Sequence, residues 1–147
     1  ESLTWSMNYL PYALAALLAY SFVPILMREG TAGTGAVPSN VAVLVSNGLL
    51  ILIALGVMAV QGESVGPHLR KPEMLYVLGG GLFLAVGILS YYRALSLGPV
   101  SVVTPVFGMF LVLSSVVSIA LLGESFTLRK AAGIALAVVA VVLVAGD

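Results

Sequence analysis

Apolar residues run along this chain in five long, unalternated stretches: residues 9–27, 41–60, 74–92, 100–122 and 128–145. A helix needs about 20 apolar residues to cross a hydrocarbon core, and each stretch reaches or approaches that length. Transmembrane β-strands would instead alternate over segments of roughly ten residues, so the pattern predicts helices. The punctuation between stretches is polar or conformationally special. Arg28-Glu29-Gly30 closes the first, and a Gly- and Thr-rich loop over residues 31–40 follows. Residues 61–72 form the most polar loop, with Glu63, Pro67, His68, Arg70, Lys71 and Pro72. Leu97-Gly98-Pro99 and Leu122-Gly123-Glu124 are short joints, which make the third, fourth and fifth helices antiparallel neighbours. No linker or composition break interrupts residues 7–147, so they are expected to form a single all-α integral membrane domain of five transmembrane helices. Residues 1–6 are more polar and are read as a remnant ahead of a native start at Met7.

Composition agrees with the pattern and removes several function classes. The 147 residues are 61% hydrophobic and 8% charged, with a mean hydropathy of +1.16, whereas a soluble domain is about 25% charged. The net charge is zero, which gives no basic patch for nucleic acid. There is no cysteine and the single histidine, His68, lies in a loop, so disulfides and a histidine metal site within the membrane are excluded and no cofactor is expected. None of the five stretches contains Asp or Glu. A proton antiporter normally relies on an embedded carboxylate. With no H-E-x-x-H and no embedded histidine to activate a serine, an intramembrane enzyme is not expected either.

Loop charge predicts orientation. Arg70, Lys71, Arg129 and Lys130 fall on the side of the N-terminus, against Arg28 and Arg93 on the other. The positive-inside rule then favours a cytoplasmic N-terminus, with the plasma membrane as the expected location.

Intramembrane polar residues are functional candidates by default, and here their depths coincide. Tyr20, Ser21, Ser46, Asn47, Tyr91, Tyr92 and Thr104 all fall in the half of the bilayer distal to the N-terminus. Asn47 lies roughly 9 Å in from residue 41 at 1.5 Å per residue. Pro24 and Pro105 sit at similar depth, where each removes a helix hydrogen bond and frees a carbonyl; such helix breaks are tolerated where they line a cavity. The bland reading is interhelical hydrogen bonding and interfacial tyrosines. Co-location at one level favours a polar vestibule with Tyr20, Ser21, Asn47, Tyr91 and Thr104 as substrate-binding residues. Asn47 leads, because a buried amide requires partners.

Other polar residues have plainer roles. Arg93, near a helix end, reads as an anchor that snorkels to the headgroups. Ser114 with Ser118, Gly81 with Ala85, and Gly133 with Ala137 have the small-xxx-small spacing of close helix packing. Gly79-Gly80-Gly81 would permit bending. Glu124 precedes the fifth helix, where a carboxylate suits a helix N-terminus, and it lies too near water to carry protons through the membrane.

The run Tyr92-Arg93-Ala94-Leu95, Gly98-Pro99-Val100-Ser101, Pro105, Leu122-Gly123-Glu124, Thr127 and Gly133 resembles the EamA-type repeat of the drug/metabolite transporter superfamily. The likeness covers about half of the chain well. In the first helix it departs from the family, with Tyr20-Ser21 where an aromatic-Gly pair is common. The resemblance implies one half of an inverted-repeat transporter, since family members typically carry two oppositely oriented five-helix repeats and move small organic metabolites or drugs. A lone repeat recovers that symmetry by pairing antiparallel with a copy of itself or with a related chain. The expected partners are therefore the lipid bilayer, a small organic substrate and an antiparallel second subunit. Two alternatives stand beside this. One is a non-transporting membrane subunit or assembly factor, for which the polar half would be an interface. The other is a small-multidrug-resistance-like proton antiporter, disfavoured by the five helices and the missing acidic residue.

Overall fold

The computed structural model describes residues 9–123 and 125–146. Residues 1–6, Met7 and Glu124 lie outside the described residues. Five α-helices account for the five apolar stretches: α1 Leu10–Thr31, α2 Ser39–Gln61, α3 Met74–Leu97, α4 Val100–Leu122 and α5 Leu128–Ala145. Each is long and apolar enough to cross a membrane. Among the described residues there is no strand, and the polar loop after α2 holds one 3-10 turn, Gly66–His68.

The helix ends follow from local chemistry. α2 stops at Gly62, whose φ of 69° suits a residue without a Cβ. The Gly62 N–H donates to the Ala59 carbonyl and the Glu63 N–H to that of Met58, the paired bonds of a Schellman cap. α5 starts at Thr127, whose Oγ1 accepts from the Lys130 N–H at 3.2 Å, satisfying one of the donors a helix start leaves free. Gly98-Pro99 ends α3 and Pro99 caps α4, because a residue before proline is pushed out of the helical region.

α2 begins at Ser39, slightly ahead of its apolar stretch, and two helices run well past theirs. α1 continues through Arg28-Glu29-Gly30 to Thr31, and α3 continues through Arg93 to Leu97. Nothing in either polar segment breaks a helix; only the hydrophobicity stops. Pro24 and Pro105 lie inside α1 and α4, which run on through both positions. Each proline removes a ladder bond while its helix runs on.

The helices form two compact units, residues 9–97 and 98–146. In the first, α3 packs on both α1 and α2, with fewer contacts between α1 and α2. Its buried residues are Pro24 and Thr31 of α1, Ser39 of α2, and Tyr91, Tyr92 and Leu95 of α3. All belong to the C-terminal part of α1, the N-terminal end of α2 or the C-terminal part of α3, so burial concentrates at one end of this unit. In the second, α4 packs on α5 and neither contains a buried residue. The remaining surface is largely apolar, with Leu44, Phe83 and Leu136 among its exposed side chains. Hydrocarbon solvates such a surface without penalty, since lipid tails are as apolar as leucine.

Candidate functional site

The polar residues of the first unit divide into those drawn inward and those left outside. Tyr91 and Tyr92 are buried, the latter 4% exposed, although both carry a polar hydroxyl. Their rings meet at a tilt with centroids 6.3 Å apart. The Ser46 hydroxyl lies 3.4 Å from the Tyr92 hydroxyl, with serine as donor, and so links α2 to α3. Ser46 also lies 3.3 Å from the Val43 carbonyl of its own helix. Asn47, half-buried beside it, donates its amide N–H to the Val43 carbonyl at 2.9 Å. That bond uses a donor only, and the acceptor Oδ1 takes no bond from another described residue.

Tyr20 and Ser21 are placed differently. Tyr20 is 70% exposed. Ser21 is exposed, and its hydroxyl donates back to the Leu17 carbonyl at 2.7 Å, the self-satisfying bond of a helical serine. Thr104 and Pro105 belong to the second unit, both half-buried in α4. The first unit also holds a groove of about 480 Å³ between the C-terminal end of α1 and the N-terminal end of α2. Of the site candidates only Ser46 lines it; Thr31 is the other side chain there with a hydroxyl, and the rest of the wall is apolar residues such as Leu26, Val41 and Leu49.

Arg28 belongs to this end of the unit as well, although its sequence position gave it only a place in the loop-charge balance. It is half-buried in the last turns of α1, and its Nη1 donates to the Leu95 carbonyl at 2.8 Å. Leu95 is fully buried, at 0% exposed. Its carbonyl is among the last four of α3, which have no intrahelical donor. Arg28 therefore supplies from α1 a bond that α3 cannot make for itself. The signal available in the sequence was helical spacing: Tyr20, Pro24 and Arg28 recur every four residues and share a face. Arg93 is exposed, as an anchoring arginine would be.

In the second unit the expected tight seam is open. Ser114, Ser118, Gly133 and Ala137 line a cleft of about 580 Å³ between α4 and α5, with Lys130 and Ser115 on its wall. A Cβ built on Gly133, or on Gly81 in the first unit, would meet no neighbouring atom within 4 Å. At these two glycines the missing side chain leaves open space. Ser115 donates to the Leu111 carbonyl at 2.9 Å and Lys130 to the Ser125 carbonyl at 2.9 Å.

The model of the EamA-like transporter family matches residues 7–146. A relative from a Sinorhizobium species, named as an uncharacterized transporter in the cobO 3' region, is 25% identical over 121 residues. The match covers 82% of this chain and 86% of the relative, so the two have similar lengths. No solved structure gives a significant match.

Proposed function

Because the chain belongs to the EamA-like transporter family and has five helices fit to span a bilayer, it is a multi-pass membrane transporter, and we propose that it moves small organic solutes by alternating access as an antiparallel dimer. The observation that carries the substrate site is Asn47. Its amide group is half-buried in an apolar helix, bonded as a donor to its own backbone, and open as an acceptor. An accessible acceptor without a protein partner can take a bond from a ligand donor. Ser46, Tyr91 and Tyr92 give this region its further hydroxyls, and Tyr20 on the exposed part of α1 adds an aromatic face for an entering solute.

The dimer follows from the repeat. A unit of five helices carries an odd number of crossings, so a second copy inserted the other way presents its polar half to the opposite side of the membrane. Two gates of opposite orientation are the basis of alternating access in inverted-repeat transporters. A copy or a related chain can fill the second position. The plasma membrane is the expected site of action.

Solute uptake into liposomes containing the purified protein tests this reading, with a metabolite panel first narrowed by thermal shift, since a ligand of the folded state raises its stability by mass action. Binding without flux, at any protein density, rejects transport and leaves a membrane subunit that binds a ligand.

A further inference from the structure

We propose that Arg28 binds the oxyanion, carboxylate or phosphate, of an anionic ligand, a proposal that rests on the transport reading and names the class of solute for it. A guanidinium has five N–H donors in a planar fork. Here Nη1 is directed to the Leu95 carbonyl, which fixes the group at the end of α3 and leaves donors uncommitted. No carboxylate neutralises it among the described residues. Glu29 is its chain neighbour in α1, and adjacent helical residues do not face one another. Half-burial raises the penalty of an uncompensated charge. The partner that best offsets that penalty is a flat anion able to take two parallel N–H bonds.

The surroundings fit such a ligand. Leu95 follows Tyr91 and Tyr92 by about one helical turn, so the cation stands roughly 5–6 Å along α3 from the buried tyrosines. Tyr92 in turn meets Ser46. One end of the first unit thus holds, in order, the Arg28 charge, the buried Tyr91 and Tyr92, and the half-buried amide of Asn47. That order matches a small organic anion, with its charged end on Arg28 and its neutral body toward α2. Arg93, two residues before Leu95 in α3, is exposed and makes no such inward bond, so the two arginines are not equivalent.

The oxyanion has two possible sources, a soluble solute and an anionic lipid headgroup, and separate arms distinguish them. The first arm measures thermal shifts of the detergent-purified full chain with benzoate, succinate and inorganic phosphate against the neutral amides benzamide and succinamide. The second measures stability in phosphatidylcholine vesicles with and without phosphatidylglycerol. Both use the wild type, Arg28→Lys and Arg28→Gln. Glutamine keeps an N–H donor but is shorter and has no charge, so its loss of anion preference is read together with that of the lysine variant. Lysine keeps the charge without the fork, and helps if the glutamine variant folds poorly.

The expected result is a preference of about tenfold or more for one of the anions over the amides in the wild type, reduced in Arg28→Lys and absent in Arg28→Gln. A response to phosphatidylglycerol alone, lost in Arg28→Gln, assigns the same site to a lipid headgroup. A preference undiminished in Arg28→Gln, or no response of the wild type to any of the anions or to phosphatidylglycerol, overturns the proposal and leaves Arg28 as a cap on α3. Uptake assays separate this from the transport reading. Arg28-dependent anion binding without flux removes transport and keeps the site, whereas flux of solutes that ignores Arg28 keeps transport and removes the site.

Discussion

The hydroxyl of Ser46 lies 3.4 Å from the hydroxyl of Tyr92, a side-chain link between α2 and α3 at the level of Asn47. Hydrogen bonds between membrane helices average about 0.6 kcal/mol in double-mutant cycles, and this one is long. Ser46→Ala and Tyr92→Phe are each expected to destabilise the protein modestly, with a coupling between them of about 0.6 kcal/mol or less. Denaturant-dependent unfolding in mixed micelles measures all four corners of the cycle. A coupling indistinguishable from zero would mean that the contact carries no energy and that Tyr92 is held by packing alone.

A second prediction concerns α5. Thr127 accepts a bond from the Lys130 N–H, and removing such a cap typically costs about 1 kcal/mol. Thr127→Ala is therefore expected to destabilise the protein by about that amount, while Thr127→Ser, which keeps the oxygen, stays near wild type. Equal loss in both variants would assign the effect to the lost methyl group and not to the cap.

These two residues also show what the sequence could and could not reveal. The bounds of α4 and α5 were legible because Gly98-Pro99, Gly123 and Thr127 are chemical stop and start signals. The far ends of α1 and α3 were not, because apolar pattern reports contact with lipid or core and not the backbone hydrogen bonds that carry a helix on through Arg28-Glu29 and Arg93. The shared depth of Ser46, Asn47, Tyr91 and Tyr92 could be counted along the chain. Which of them turn inward depends on azimuth around each helix, and on which helices pack together, so the exposure of Tyr20 and the burial of Tyr92 needed the packed unit. Arg28 is hard to single out because a charge at the edge of an apolar run looks like loop. Its inward bond depends on a carbonyl of another helix, 67 residues away in the chain.

The five-span topology makes a direct prediction. The chain has no cysteine, so single cysteines report their own location. Thr34→Cys lies between α1 and α2, and Ser64→Cys between α2 and α3. One span separates them, so within any one molecule they are expected on opposite faces. In vesicles, an orientation-locked variant should label from outside at one position and only after permeabilisation at the other. Labelling of both from the same side would remove α2 as a span.

The antiparallel dimer predicts a response to charge. Three lysines added to the loop around Thr34 and Gly35 should favour one orientation, and three added to the loop at residues 61–72 the other. Each variant alone is expected to lose most transport, because its copies insert the same way. Co-expression of the two oppositely biased variants is expected to restore it. Full activity from either variant alone would establish that parallel subunits, or a single subunit, suffice.

Transport is expected to depend on Asn47 more than on Arg93. Asn47 donates only to the Val43 carbonyl, an oxygen that the helix ladder already serves, so truncation leaves no orphaned partner. Asn47→Ala should then fold and insert near normally. Its loss should appear in the substrate: a hydrogen bond to a neutral group contributes about 0.5–1.5 kcal/mol, which weakens apparent affinity by roughly two- to tenfold. Arg93 is exposed, and either arginine or lysine can reach the headgroups from that position, so Arg93→Lys should leave uptake within about twofold of wild type. The measurement is uptake by reconstituted variants over a substrate series, normalised to inserted protein. A normal apparent affinity in Asn47→Ala together with an inactive Arg93→Lys would move the binding site from the buried end of α2 and α3 to the exposed face of α3. Reduced maximal rate at unchanged affinity in Asn47→Ala would instead assign Asn47 to the conformational step, where its bond to Val43 must change between the two access states.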